Sequence, residues 1–509
     1  MLLGIDFGTT RTVVAAVNRG NYPTVSFQPE SGDTLDWYPS VVASRGDELV
    51  FGLDAALKQS EPDWVVLRSF KRQLGTLGPE AQIELGEHRL SALELLTGFL
   101  SHLRQDLLAR SNLRVKPRDK LQATISVPAN SNSNQRFITL EAFRRAGFEV
   151  RGMMNEPSAA GIEYAHHLAT NAVSKREVLV VYDFGGGTFD SSVISLVDRD
   201  HQILSSEGIA KLGGDNFDII LLDLALKAAD IHEISDSALA RMLEECRHKK
   251  ESLHPNTRRI TIDLGLGIEG AGEVTISVND FYEECRPLIE STIEAMEQAM
   301  ENSMREAGLD LNESAAVYLV GGSSDLPLVS RLLREKYGRQ VRRSPYPRAA
   351  TAVGLAIAAD TSTGYKLRER FSRNFGVWRE LNDGRAIGFD VLFEKDTPLP
   401  PKGEPPLVRR RRYIPAHNIG DFRYLECGRV DQAGQPQGDI APWDEVIFPF
   451  DPALRSSDGI QNAEITRGER YTNLIEEVYS CDANGMIEVE IADITNHFSR
   501  RYRLHGGKS

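Results

Sequence analysis

Residues 178–196 read VLVVYDFGGGTFDSSVISL, and the chain opens at residues 1–17 with MLLGIDFGTTRTVVAAV. Each is an apolar run, then Asp-Phe-Gly, then small residues with a threonine, then a second apolar run. The runs Val178–Tyr182 and Val193–Leu196 predict buried strands on either side of a turn. The intervening Asp183–Thr188 stretch is longer than a tight two-residue hairpin needs. Its consecutive Gly185, Gly186 and Gly187 carry no Cβ, so a ligand can approach the backbone and N–H groups can converge on an anion. Thr188 adds a hydroxyl. Asp183 adds a carboxylate, which repels a bare phosphate but suits one carrying a hard divalent ion such as Mg²⁺. Asp6, Gly8, Thr9 and Thr10 repeat the design between Leu2–Ile5 and Val13–Val17. Two such loops facing each other would hold a polyphosphate and its metal from both sides.

Further along the chain, LQATISVPANSNSNQR gives a strand ending at Val127-Pro128, followed by helical periodicity over 134–146 that stops at Gly147. GMMNEPSAAGIEYA starts a helix with Pro157 in its first turn, a favoured place for proline, and Glu156 just before it. A carboxylate there suits the helix dipole, or it orients a water. AVYLVGGSSDLPLVSRLL reads as strand, Gly321-Gly322, then helix, which is where open α/β sheets place their ligands.

At 509 residues the chain exceeds a single hydrophobic core, and its length predicts roughly two to four domains. The 59 basic and 73 acidic residues give a formal charge of −14, a poor balance for general nucleic-acid binding. Cys246, Cys285, Cys427 and Cys481 show no metal-type spacing and are too few for a disulfide framework, so a reducing compartment fits. No apolar run approaches the ~20 residues of a membrane span. The N-terminus lacks a basic leader, so a cytoplasmic address is expected.

Asp6–Thr10, Asp183–Asp190, NEPSAA, KLGGDNFD and LVGGSSDLP together resemble the heat-shock protein 70 (DnaK-type) chaperones, in order and spacing from Met1 to about Ala359. The resemblance implies a duplicated actin/hexokinase-like α/β ATPase domain over 1–360, a polar linker at 361–372 and a β-sandwich peptide-binding-like domain over 373–509. ATP or ADP, Mg²⁺ and, as a further candidate, K⁺ are the cofactors it implies. Asp6, Asp183 and Asp190 are similar to the metal-associated carboxylates. Gly8, Thr9 and Thr10, with Gly185–Thr188, resemble the phosphate cradle. Lys71 matches the lysine that reaches the terminal phosphate, and Glu156 the glutamate coupled to the attacking water, so the catalytic set is Lys71, Glu156, Asp183 and Thr188. Gly213, Gly214, Asp215 and Lys250 resemble ribose contacts, and Gly321, Gly322 and Ser323 the adenosine loop. Pro128 and Arg136 match residues that relay nucleotide state between domains.

The base pocket departs from the family. Where two arginines flank the adenine there, this sequence has Glu251 and Asp325, and His254 replaces a small hydroxyl residue. Carboxylates cannot supply cation–π contacts worth roughly 0.5–2 kcal/mol each. Either Lys249 or Arg247 substitutes, or the base preference has shifted, or adenine binds more weakly; weakened ATP binding is the expectation.

Beyond the linker, AIGFDVLF, DFRYLE, EVIFPF and IEVEIAD read as short strands, with Asn484-Gly485 as a hairpin turn. FEKDTPLP and SCDANGMIEVEIAD resemble the family's peptide-binding sandwich, which grips extended polypeptide through backbone hydrogen bonds and an apolar pocket. Phe389 stands where the family often has a residue arching over the peptide; its bland alternative is a core aromatic. The chain stops at Ser509, so a sandwich without the family's helical lid is expected, with fast peptide exchange. The linker TSTGYKLRERFS lacks the family's leucine-rich stretch, which puts coupling in doubt. Arg409–Arg412 reads as a solvated loop or, more sharply, as a site for an acidic partner. His166 and His167 are adjacent on a helix, do not share a face and make no metal site.

The expected function is thus a slow ATPase and stress-response chaperone that transiently binds unfolded polypeptide. A J-domain protein and a nucleotide-exchange factor are its further candidate partners, although Gly152, beside Arg151, stands where the family meets J-domain partners with arginine. The alternatives are a nucleotide-binding holdase or scaffold with an uncoupled ATPase, and a small-molecule kinase of the same superfamily.

Overall fold

A computed structural model describes residues 1–30, 32–59, 61, 63–74, 77–116, 118–169, 176–307, 315–382, 384–456, 460, 463–468 and 471–503. The chain forms two compact units, one of residues 1–75, 81–130 and 138–367, the other of 76–80, 131–137 and 368–509.

The first unit is built twice on one plan. In its first sheet the strand order is Glu149–Asn155, Gln122–Val127, Leu2–Phe7, Arg11–Ala16 and Tyr38–Pro39. In the second it is Val341–Arg343, Ala315–Val320, Arg176–Phe184, Phe189–Val197, Asp200–Ile209 and Lys366–Arg368. In both, the strand carrying the Asp-Phe-Gly motif has an antiparallel hairpin partner on one side and a parallel strand on the other. These strands are near-continuous apolar runs because helices cover the sheet faces. Leu3 and Ile5 in one copy, and Leu179, Val180 and Val181 in the other, are fully buried.

Helices Glu156–Ala169 and Ala350–Ala359 pack against each other at the centre of this unit. Gly354 permits that approach: a Cβ there would lie 1.8 Å from the Ala159 carbonyl oxygen. Both segments are rich in small residues, which is what lets their backbones come this close. A separate core of Tyr182, Phe184, Phe189, Phe217 and Phe281 fills the other face of the second sheet.

The segment expected to be a polar linker is partly ordered into this unit. Lys366–Arg368 forms the outermost strand of the second sheet, with Lys366 N donating to Arg199 O at 2.8 Å. Leu367 packs against the cluster around Tyr164 and Leu179. One leucine between charged neighbours suffices for an edge strand, because alternate residues face opposite ways.

The second unit holds two four-stranded antiparallel sheets. One runs Ala386–Phe393, Asn374–Leu381, Ile419–Val430, Pro436–Pro449; the other Leu407–Tyr413, Ile475–Cys481, Ile487–Asp493, Phe498–Arg503. They share one core, in which Phe375, Val377 and Phe448 from the first sheet meet Ile475, Val489 and Ile491 from the second. The strand Ile487–Asp493 alternates buried and half-buried residues along its whole length, the period of two that its sequence carries. Arg409–Arg412 is not a solvated loop: it lies in the strand Leu407–Tyr413, whose odd-numbered members are half-buried and even-numbered ones exposed. Arg409 lies over the Phe393 ring, Arg411 pairs with Asp390, and Arg410 and Arg412 both reach Glu476. Four identical residues hide a period of two from any hydrophobicity pattern.

Candidate active site

The Asp-Phe-Gly strands end side by side, and their turns meet. A Cβ on Gly186 would lie 2.8 Å from Thr10 Cγ2, and one on Gly187 would lie 2.6 Å from Thr9 Oγ1, so only glycine fits between the two loops. Gly185 N bonds Thr188 O at 3.0 Å, closing the second loop on itself. Gly214 N and Asp215 N donate to Gly185 O and Gly186 O at 3.1 and 2.8 Å, which ties the start of helix Gly214–Ala228 to the same loop. Ser323 Oγ donates to Gly185 O at 2.7 Å.

One pocket collects most of the sequence-predicted residues. Its walls include Asp6, Gly8, Thr9, Thr10, Lys71, Glu156, Asp183, Gly185, Gly186 and Thr188, then Gly214, Asp215, Lys250, Gly321, Gly322 and Ser323. Gly187, Gly213 and Asp190 stand behind that surface. Asp190 is buried opposite Asp183 in the hairpin register and accepts from Asn130 N at 3.3 Å. Pro128 follows the strand Gln122–Val127 in the first unit. Arg136 belongs to the second, where its Nη1 donates to Asn484 O at 3.3 Å.

Lys71 Nζ donates to Glu156 Oε1 at 2.6 Å, and both side chains are buried. Burial works against the ammonium, but the charges of Glu156 and Asp6 hold its pKa above the ordinary value. The surrounding carboxylates are short of positive charge. Burial, then the charge of Glu156, raises Asp6 to about 6, even though Ser126 Oγ donates to it at 2.8 Å. The same two causes raise Asp190 to about 7, and Asp183 is pushed well up by burial, Glu156 and Asp6. Buried carboxylates with an excess of negative charge are the donor chemistry of a hard cation. Among the described residues, no three carboxylate, His or Cys groups cluster tightly enough to chelate an ion directly. The buried carboxylates fit a hard cation such as Mg²⁺, which takes oxygen ligands and usually keeps several waters.

A family model for the Hsp70 protein matches residues 78–371, more than half of the chain. The chain belongs to the Hsp70 family. Hsp70 proteins are chaperones and ATPases that bind nucleotide with Mg²⁺. The fold agrees: an actin-like mixed α/β unit with a β-rich C-terminal region. Among the described residues, no helix is long and apolar enough to cross a membrane.

Of the charges at one end of this Hsp70's pocket, the sequence pointed to Glu251, Asp325 and Arg247 but not to Arg11 or Arg348. Arg11, Arg247, Glu251, Asp325 and Arg348 all line it. Of the two expected substitutes for the family's arginines, Arg247 is engaged by Glu244, Asp215 and Asp218, and Lys249 pairs with Glu245 without lining the pocket. His254 is exposed and does not line the pocket either. Arg348 precedes a small-residue helix and carries no motif of its own, so nothing local in the sequence marks it.

The sandwich has its own cleft, bounded by Trp378, Arg379, Glu380, Gly384 and Asp390, by residues 411–417 and 419–422, and by Phe450, Ile465 and Arg467. Its walls mix apolar side chains such as Trp378, Ile419, Phe422 and Phe450 with charged Arg379, Asp390 and Arg411, and a charged network runs beneath them. Arg379 donates from Nη1 and Nη2 to the fully buried Glu477 at 3.1 and 2.6 Å, and from Nε to Asp390 at 2.8 Å. Tyr413 OH donates to Glu477 at 2.5 Å, and Arg411 holds Asp390 through Nε and Nη2 at 2.9 and 2.7 Å. Phe389 does not line this cleft; it pairs across the strands with Trp378, ring centroids 5.5 Å apart.

Proposed function

We propose that this Hsp70 hydrolyses ATP in a domain of residues 1–360 and binds extended or unfolded polypeptide on the sandwich of residues 373–509, with 361–372 as the connection. The observation that carries the ATPase half is the buried Lys71–Glu156 pair set among Asp6, Asp183 and two facing phosphate-type loops.

Phosphoryl transfer asks a protein mainly for positioning and charge stabilisation. Lys71 Nζ presents a positive charge held in place by Glu156 Oε1, ready for negative charge growing on the terminal phosphate. Glu156 retains a second carboxylate oxygen to accept a hydrogen bond from an attacking water. Backbone N–H groups of the two glycine-containing loops and the hydroxyls of Thr9, Thr10 and Thr188 orient the phosphates. A Mg²⁺ held through water by Asp6 and Asp183, with Asp190 behind, would neutralise phosphate charge and relieve the carboxylates.

The test is steady-state ATP hydrolysis with and without a saturating unfolded polypeptide. Lys71→Ala and Glu156→Gln are each expected to lower turnover by roughly a hundredfold, the scale of losing one preorganised stabilising group. Turnover unchanged in both variants defeats the ATPase reading. Stimulation by the polypeptide supports the chaperone cycle. A second reading is a nucleotide-binding holdase or scaffold, in which hydrolysis ignores the polypeptide.

A further inference from the structure

Charged side chains at one end of the nucleotide pocket form a linked set of Arg11, Glu251, Arg348, Asp325 and Arg343, the last paired with Asp325. Arg11 Nη2 donates to Glu251 Oε2 at 2.5 Å. Arg348 Nη1 lies 3.5 Å from the same oxygen, and Arg348 Nε lies 3.2 Å from Asp325 Oδ2. Glu251 ends the helix Asp236–Glu251, Asp325 closes the turn Gly322–Asp325, and Arg348 sits just before the helix Ala350–Ala359. Two separate elements therefore converge on the guanidinium that a third segment carries.

The geometry of that convergence is informative. Arg348 is fastened at Nε and at Nη1, both on the rim of its plane, so its carboxylate partners leave the two flat faces uncommitted. Its side chain keeps 40% of its accessible surface, and the residue lines the pocket beside Leu326 and Pro347. A flat cation with a pinned rim and apolar neighbours is suited to a planar heterocycle. Arg11 is differently committed: its guanidinium carbon sits 4.6 Å from the centroid of the Trp37 ring, so one of its faces is already covered. Arg247 is tied to three carboxylates. Arg11 and Arg348 pair with Glu251, and Arg348 and Arg343 with Asp325, so both carboxylates are neutralised by arginines and do not repel an anionic nucleotide.

We propose that Arg348 supplies the cation against which the nucleotide base stacks, and that Glu251 and Asp325 are its holders rather than base contacts. On this assignment the absence of arginine at positions 251 and 325 does not weaken ATP binding, because the guanidinium arrives from a different element. The inference rests on the nucleotide reading of the pocket.

Calorimetric titration of the full chain with MgADP, and separately with inorganic tripolyphosphate as a probe lacking the base, tests it. Arg348→Ala is expected to weaken ADP roughly tenfold, the scale of one lost cation–π contact, and to leave tripolyphosphate unchanged. Glu251→Gln combined with Asp325→Asn, which frees Arg348, is expected to give a several-fold loss for ADP alone. Wild-type ADP affinity in Arg348→Ala overturns the inference while the nucleotide reading stands. Equal losses for ADP and tripolyphosphate also overturn it, by placing Arg348 on the phosphates. If the unmodified chain binds neither probe, the nucleotide reading falls and takes the inference with it. Should Arg348→Ala fail to fold, as judged by its circular dichroism, Arg348→Gln replaces it in the same titrations, with the same outcomes.

Discussion

Asp6, Glu156, Asp183 and Asp190 gather around the ammonium of Lys71 in the first unit, whereas Asp390 and Glu477 in the second face two guanidinium groups, Arg379 and Arg411. The building blocks are the same, and the titration behaviour is opposite. Burial and mutual repulsion push Asp6, Asp183 and Asp190 above the usual carboxylate range. Burial acts on Asp390 too, but hydrogen bonds from Arg411 and Arg379 outweigh it and hold Asp390 below that range. The first cluster is short of positive charge and gains when a cation arrives. The second is complete as it stands, with hydroxyls of Tyr413 and Tyr479 on Glu477 filling what the arginines leave. Perturbed acids mark a functional site only when their deficit is left open; a closed network of the same residues is architecture.

The largest effect is expected where a closed network is opened. Glu477→Leu leaves Arg379 without its bidentate partner inside the sandwich, and breaking a buried pair this way costs about 3–5 kcal/mol. Urea unfolding followed by tryptophan fluorescence should show that loss in the transition that reports Trp378 and Trp443, with nucleotide affinity unchanged. A loss below about 1 kcal/mol would mean that the Arg379–Glu477 pair does not hold the sandwich together. The opposite sign is expected in the first unit. Asp183→Asn removes a carboxylate that burial and its neighbours disfavour, so the nucleotide-free protein should gain about 0.5–2 kcal/mol, the common size of a stability gain taken at the cost of function. ATP turnover should fall by about a hundredfold in the same variant. If Asp183→Asn destabilises the nucleotide-free protein, the site is not strained by unpaired charge and the contrast between the clusters fails.

Much of this contrast was legible in the sequence, but unevenly. The duplicated Asp-Phe-Gly turns announced the two sheets because glycine runs and flanking apolar strands are local signals, and the strands take the same roles in both sheets. Lys71 and Glu156, singled out by their short contexts SFKRQLG and NEPSAA, pair in one pocket. What stayed hidden depends on pairings distant in sequence. Glu477 shows no sign at its own position of Arg379, with which it makes two hydrogen bonds. Arg348 looks like an ordinary surface cation until Glu251 and Asp325 are seen on its rim. Arg409–Arg412 concealed a strand for a different reason, since identical side chains on both faces erase the alternation that betrays a strand elsewhere. Local repetition specified the frame, and charge partners chosen by the fold set its chemistry.

Glu163 sharpens the comparison as an intermediate case, a buried carboxylate whose hydrogen bond comes from a hydroxyl. It accepts from Tyr318 OH at 2.6 Å, and burial raises it to about 7 in spite of that hydrogen bond. A carboxyl whose folded pKa is raised binds its proton more tightly in the folded chain than in the unfolded one. Its ionisation therefore costs stability fully above about pH 7, and the cost fades as pH falls toward the ordinary carboxyl value of 4.5. Glu163→Gln keeps an acceptor for Tyr318 and deletes the charge. At pH 8 the variant should melt about 2–4 °C above the parent, and near pH 4.5 the two should coincide. A difference that persists at pH 4.5 would assign the gain to packing instead of charge. A difference of the opposite sign at pH 8 would show that the Tyr318 hydroxyl satisfies an ionised Glu163 unaided. Hydroxyl donors would then close a buried acid as well as arginines do, and the line drawn between the two clusters would have to move.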